Sequence, residues 1–497
     1  MQLSDYLACD ATELARLVAA KATSPDELLN LALAQNNKVN GRINAVTRLM
    51  EAPARHQISK GPQGPLAGVP FLLKDNQDYA GVPTTHGSRS MQHHIPAHHA
   101  GVVQRFMDAG LVIFGKTNLP EFALKAVSDA ELFGRANNPW DLTRTPGGSS
   151  GGAAAAVAAG VVPMAAANDG GGSIRIPAAC CGLFGIKASR GRIPSGPAVN
   201  EVWFGASSEG VVSRSVRDSA LAMDVLSGPM PGDPYLAPTE PTGYTQKHLQ
   251  DPGKLRIALC TRSPLGTDVH PQAVAAAHHA ADLLRRAGHA VEEASPDIDG
   301  AALAQSYLHV YFGQVPATVA HAKALGGQST EIEFLTRLLV TLGQSVTACD
   351  ITLQLAQWNT YARSLAKFYE SFDLYLTPTL AHPAVQHGAG DVPAGQRHVL
   401  SFLQSTGLLG LLGRLGLLDA TINQIATDSL RFVPFTQLAN LTGTPAMSVP
   451  LYWTAEGLPL GVQFMAAMGR EDRLFQVAHQ LEHLQPWAQR WPDWIGA

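Results

Sequence analysis

Two glycine clusters, each carrying serine, stand close together in this chain: Gly147-Gly148-Ser149-Ser150-Gly151-Gly152 and Asp169-Gly170-Gly171-Gly172-Ser173. Such runs constrain the fold, because glycine reaches backbone conformations closed to other residues and leaves no Cβ to block a neighbour. A carbonyl compound can then approach both a hydroxyl and the adjacent peptide N–H groups. A nucleophile beside such donors is what acyl transfer requires, since attack on the carbonyl creates a negative oxygen. A serine hydroxyl also needs a base, and no histidine lies between Ser149 and Ser173. Upstream, the apolar run Val69–Leu73 predicts a short buried strand with Lys74 at its end. A lysine emerging there from the core is desolvated, which favours its neutral amine, a competent base.

These residues carry a resemblance. The chain resembles the amidase signature hydrolases, which use a Ser–cis-Ser–Lys triad, over Gly68–Asp75, Gly110–Phe122, Asn137–Pro194, Val211–Asp218, Phe432–Pro450 and Gly457–Glu482. Ser149 and Ser173 are 24 residues apart, the family's spacing for its bridging and nucleophilic serines. Within the family the chain is similar to the branch of 6-aminohexanoate cyclic dimer hydrolases and aryl acylamidases, on Val433-Pro434-Phe435 and Gly469-Arg470-Glu471-Asp472. The resemblance implies Lys74, Ser149 and Ser173 as catalytic residues and a cis peptide at Gly148–Ser149. It implies an oxyanion hole from the N–H groups of Gly170, Gly171, Gly172 and Ser173. Ser150, Asp169 and Arg175 would brace these loops from behind, the last two as an ion pair. The chain departs from the family pattern at Asn168, where Thr or Ser is commoner, and at Gly170, where a side chain is usual. Three successive glycines predict a looser oxyanion loop. Lys187-Ala188-Ser189 replaces Lys-Pro-Thr.

The implied activity is hydrolysis of C–N bonds in small, rather hydrophobic amides, anilides or linear or cyclic amides, through a seryl acyl-enzyme with no metal or organic cofactor. Carbamate or ester hydrolysis by the same triad is an alternative, as is a glutaminase-type amidotransferase subunit. The expected partner is a small-molecule amide or carbamate, and family resemblance adds a homodimer. The net charge of −4 is too small for a nucleic-acid footprint.

The chain of 497 residues, 45% hydrophobic and 15% charged, has the makings of a large core. Apolar runs at Leu111–Phe114, Arg256–Cys260, Leu374–Leu376, Met447–Leu451 and Val462–Met465 predict strands, and Ala153–Ala159, Gln272–Ala287 and Arg470–Leu484 predict helices. Strands interleaved with helices predict an α/β fold, one domain with a mixed, twisted central sheet covered by helices on both faces. Its expected parts are N-terminal helices (1–66), a catalytic core (67–228), a variable substrate-side region (229–430) and C-terminal core strands and a helix (431–497). Asp10 with Glu13, and Ser24 with Pro25 and Glu27, predict capped helices near the start.

Five scattered cysteines without a C-x-x-C predict neither zinc nor a disulfide framework, and with no signal-peptide pattern they predict a cytoplasmic location. The longest apolar stretch, Ala153–Ala167, falls short of the ~18 residues of a membrane span. Gly110–Thr117 fits the phosphate-binding pattern G-x-x-x-x-G-K-[ST], but Leu-Val-Ile-Phe between its glycines predicts a buried strand. His93, His94, His98 and His99 predict a solvated loop, and Cys180-Cys181 a buried small-residue patch. In 402–418, glycine recurs at every third position from Gly407 to Gly416. That segment reads as buried core, as an apolar lid over a greasy substrate, or as a membrane contact.

Overall fold

Side-chain caps start the N-terminal helices where expected. Asp10 accepts from Glu13 N (2.9 Å) to open α2 (Ala11–Ala19), after a short α1 (Leu3–Ala8). Glu13 does not close a box; its carboxylate takes Arg16 Nε at 2.9 Å instead. Ser24 and Glu27 do close one at the start of α3 (Pro25–Ile43), each accepting from the other's N–H at 3.2 Å. Helix α4 (Glu51–Ser59) follows. The computed structural model describes residues 1–389, 395, 400, 403 and 430–495. Save for Leu403, the segment 402–418 lies outside the described residues.

Strands β1 (Val46–Leu49), β2 (Pro70–Lys74) and β3 (Val112–Thr117) form a small sheet in the order β1-β3-β2. β2 and β3 are parallel, so the chain crosses between them, and α5 (Gly101–Asp108) lies on that crossover. Every residue of β2 and β3 is buried, which explains their unbroken apolar runs. The phosphate-loop string is therefore interior strand. Lys116 in it donates to Thr84 Oγ1 (2.7 Å) and pairs with Asp75 (3.5 Å).

The large sheet comprises β4 (Met164–Asp169), β5 (Phe184–Lys187), β6 (Ser208–Ser213), β7 (Arg256–Leu259), β8 (Ala290–Glu293), β9 (Leu374–Pro378), β10 (Ala446–Trp453) and β11 (Pro459–Ala466). Its order is β4-β6-β5-β10-β11-β9-β7-β8. β7 runs parallel to β8 and β9 and the other pairs are antiparallel, so the sheet is mixed. Against it pack α6 (Gly151–Ala158), α7 (Arg175–Cys181), α8 (Val216–Leu226) and α10 (Pro271–Arg286), with the four-residue α9 (Tyr244–Lys247) between the last two in sequence. Helix α6 contains only Gly, Ala and Val, all buried, and its slimness lets it contact strands of both sheets. Helices α11 (Gly300–Ala324), α12 (Phe334–Gly343) and α13 (Ala348–Phe368) form a separate layer, and α14 (Gln437–Thr442) and α15 (Glu471–Leu484) complete the described helices. Among the described residues no single helix is long and apolar enough to cross a membrane.

Candidate active site

Lys74 closes β2, and the start of α6 and the end of β4 come to meet it. Its Nζ lies 2.7 Å from Ser149 Oγ and donates to Asn168 Oδ1 at 2.6 Å. No solvent reaches the side chain, and this burial pulls the amine down to about 7 against the weaker upward pull of Glu209 and Asp169. A substantial share of Lys74 is therefore neutral near neutral pH. The Gly148–Ser149 peptide is cis, as the resemblance implies.

Two serines that touch no lysine hold this corner. Ser150 Oγ donates to Asn168 O (3.3 Å), tying the first turn of α6 to β4. Ser128 Oγ contacts the carbonyls of Gly147 (3.2 Å) and Ser149 (3.3 Å) and accepts from Gly151 N (3.0 Å). Ser128 went unnoticed in the sequence, where nothing marks an isolated serine between two loops.

Ser173 sits on the turn between β4 and α7 and lines the same cavity as Ser149, Asn168, Gly170 and Gly171. Among the described residues its Oγ has no hydrogen-bond partner. Behind the turn, Asp169 and Arg175 form the expected ion pair, with Nε and Nη2 each 2.9 Å from a carboxylate oxygen and neither side chain exposed. Arg175 holds the Asp169 carboxyl far below the usual carboxylate range. Asp169 also accepts from Gly172 N (2.7 Å) and Ile174 N (3.2 Å). The N–H of Gly172 is thus committed to bracing the loop, which corrects its expected place among donors facing the cavity. Among the described residues the Gly171 and Ser173 N–H groups are not engaged this way.

Side chains from distant elements hold the glycine run. Thr436 Oγ1 donates to Gly171 O (2.6 Å), and Asn440 Nδ2 to Asp169 Oδ1 (2.9 Å). Arg175 Nη1 donates to Gln463 Oε1 at 2.6 Å. Glycine serves close approach here. A Cβ on Gly171 would collide with the Tyr307 hydroxyl, and one on Gly172, which has φ +126, would collide with Thr436 and Ile176. Thr436, Asn440 and Gln463 lie more than 260 positions downstream, beyond the reach of any local pattern.

The cavity measures about 860 Å³. Its polar end holds Ser149, Ser173, Asn168 and Glu209, and its wall includes Phe122, Trp203, Tyr307 and Tyr311. The Trp203 ring stands 5.4 Å from that of Tyr311 and 6.2 Å from that of Tyr307. Four non-glycine lining residues, His86, Phe122, Ala123 and Trp203, have φ between +50 and +58. Such conformations cost about 1–3 kcal/mol each and cluster where function holds them. His93 and His98 are exposed as expected, whereas His94 lines the cavity. Among the described residues no group of His, Cys, Asp or Glu has the arrangement to hold a metal ion. Cys180 and Cys181 are buried, and burial raises the Cys180 thiol to about 12.

The amidase family model matches residues 27–475. The chain belongs to the amidase family. It is 36% identical over 499 residues to the 6-aminohexanoate-cyclic-dimer hydrolases of Pseudomonas sp. (strain NK87) and Paenarthrobacter ureafaciens, covering 97% of this chain and 96% of each relative. The solved structure of a 6-aminohexanoate cyclic dimer hydrolase in complex with substrate superposes with a TM-score of 0.89 at 35% identity, over 98% of this chain and 99% of that one. A bacterial aryl acylamidase of the amidase signature family gives 0.82 at 25% identity, over 97% of each chain. This amidase is accordingly a hydrolase of non-peptide carbon–nitrogen bonds.

Proposed function

We propose that this amidase cleaves small, rather hydrophobic amides, anilides or linear or cyclic amides, through an acyl-enzyme on Ser173. The supporting observation is the buried Lys74 amine, lowered to about 7 and 2.7 Å from Ser149 Oγ, beside a cavity that Ser173 shares. Neutral Lys74 takes the proton of Ser149, and Ser149 takes that of Ser173. The Ser173 Oγ–carbon bond forms, and the carbonyl electron pair moves onto oxygen. N–H groups of the loop ending at Ser173 face that oxyanion, each donor of this kind contributing about 10²–10³ in rate. As the tetrahedral intermediate collapses the C–N bond breaks, and the proton returns through Ser149 to the leaving nitrogen. Water then repeats the sequence on the ester and frees Ser173. Proton delivery allows an amine to leave, which makes amides accessible as well as esters.

The aromatic and aliphatic wall favours an apolar acyl or amine portion, and the similarity to hydrolases of a cyclic amide dimer and of aryl amides supports the same class. The test is hydrolysis of matched anilide, carbamate and ester series by wild type and Lys74→Ala, with fluorophosphonate labelling of Ser173. Anilide turnover lost in Lys74→Ala, with labelling abolished in Ser173→Ala, is the expected result. Amide turnover that survives Lys74→Ala nearly intact refutes it. A rate preference for carbamates over anilides would move the assignment to urethane hydrolysis by the same residues.

A further inference from the structure

Four hydrogen bonds close a ring that begins and ends on Lys74. Its Nζ donates to Asn168 Oδ1 (2.6 Å), and Asn168 Nδ2 donates to Glu209 Oε1 (3.3 Å). Gln77 Nε2 donates to Glu209 Oε2 (2.5 Å), and the main-chain N–H of Lys74 donates to Gln77 Oε1 (3.1 Å). The ring spans β2, the turn after it, β4 and β6. Asn168 and Glu209 are direct partners in the antiparallel β4–β6 ladder, which puts their side chains on one face.

The ring leaves little choice of orientation. A main-chain N–H only donates, so Gln77 must turn its oxygen to Lys74 and its NH₂ to Glu209. An ionised carboxylate only accepts, so Asn168 turns its own NH₂ to Glu209, and the same NH₂ also donates to Asn76 Oδ1 (3.2 Å). Its oxygen is thereby presented to the lysine amine. A neutral amine has two hydrogens and one lone pair. With a hydrogen given to Asn168, the lone pair remains for the Ser149 hydroxyl. A flipped Asn168 would donate to the amine and occupy that lone pair.

We propose that Glu209 is a positioning residue which, through Asn168, keeps the lone pair of Lys74 turned toward Ser149. This rests on the catalytic reading given above. The charged groups facing Lys74 are Glu209 on β6 and Asp169 on β4, the latter neutralised by Arg175 on α7. Asp75, next to it in sequence, is paired with Lys116 on β3. Among the described residues Glu209 thus supplies the carboxylate near the amine with no cationic partner other than Lys74. Burial raises its carboxyl overall, and the bond from Gln77, the nearby lysine and the bond from Asn168 offset part of that rise by favouring the ionised form.

The experiment is the pH dependence of kcat and kcat/KM on 4-nitroacetanilide for wild type, Glu209→Gln and Glu209→Asp. Glu209→Gln lowers kcat about tenfold, leaves KM within about twofold, and moves the acidic limb to lower pH, because a charge favouring protonated Lys74 is gone. Glu209→Asp keeps the charge but shortens the reach, so kcat falls while the limb stays. A Glu209→Gln limb that coincides with wild type, or a loss confined to KM, overturns the proposal. If Glu209→Gln fails to fold, an undiminished kcat in Glu209→Asp overturns it. Lys74→Ala in parallel keeps the two readings apart. Activity that survives there defeats the triad assignment, whereas its loss alongside an unaffected Glu209→Gln defeats this inference alone.

Discussion

Replacing Asp169 with Asn tests whether the ion pair behind the glycine loop governs both stability and rate. The carboxylate receives two side-chain bonds from Arg175, at 2.9 Å each, one from its main-chain N, and one each from Gly172 N, Ile174 N and Asn440 Nδ2. Asn keeps the shape but loses the charge and turns an NH₂ toward donors it cannot serve. Arg175 is then left buried without its counter-ion, a change that costs about 3–5 kcal/mol. Unfolding entropy of about 2.1 cal/mol/K per residue gives about 1 kcal/mol/K for 497 residues. The melting temperature therefore falls by about 3–5 °C. Sign and pH follow from linkage. The folded-state carboxyl is held low, so its contribution is complete above the unfolded value near pH 4 and lost as pH falls below that. Calorimetry at pH 7–8 captures it whole. Release of the Gly172 anchor also displaces the donors around Ser173, and kcat on an anilide falls about 100-fold, the scale of a 1 Å misplacement. Glu51→Gln, which removes an exposed 2.8 Å pair with Arg55, serves as the control and melts within about 1 °C of wild type. An Asp169→Asn protein that melts within 1 °C of wild type with kcat intact would falsify the bracing role.

Other consequences are open to direct measurement. Lys74→Ala lowers kcat on anilides by about 10³-fold or more while the melting temperature holds or rises, as removal of a desolvated amine predicts. In wild type, kcat/KM climbs about tenfold per pH unit below pH 7 and levels off above it, because only the neutral amine accepts a proton and it titrates at about 7. A flat profile from pH 5 to 8 would exclude Lys74 as the base. Gly171→Ala drives a methyl into the Tyr307 hydroxyl and lowers kcat at least tenfold, and Tyr307→Phe in the same chain restores part of it. Steady-state kinetics on wild type and the two variants decides this.

Residues whose role depends on neighbours in sequence were legible before any fold was known. Lys74 ends an apolar run, Ser149 and Ser173 sit in glycine clusters, and Asp169 and Arg175 flank one of them. The apolar runs of β2, β3, β7, β9, β10 and β11 were legible as strands for the same reason. β4 was not, because Met164-Ala-Ala-Ala167 lacks the β-branched and aromatic residues that mark a strand. The separation of β1, β2 and β3 into their own sheet was hidden too, since pairing partners are set by packing between distant segments. Asn168 stood out only as a departure from pattern, and Glu209 not at all. Their meaning comes from the β4–β6 register, which places them opposite each other across 41 positions of chain. Thr436 and Asn440 reach the glycine loop, and Gln463 reaches Arg175 behind it, from still farther away.

Lys74 belongs to the three-stranded sheet, while Ser173 follows a strand of the eight-stranded one, and α6 wedges between them. The proposed base and nucleophile therefore come from different sheets, and the proposed site exists only where the two sheets pack against each other.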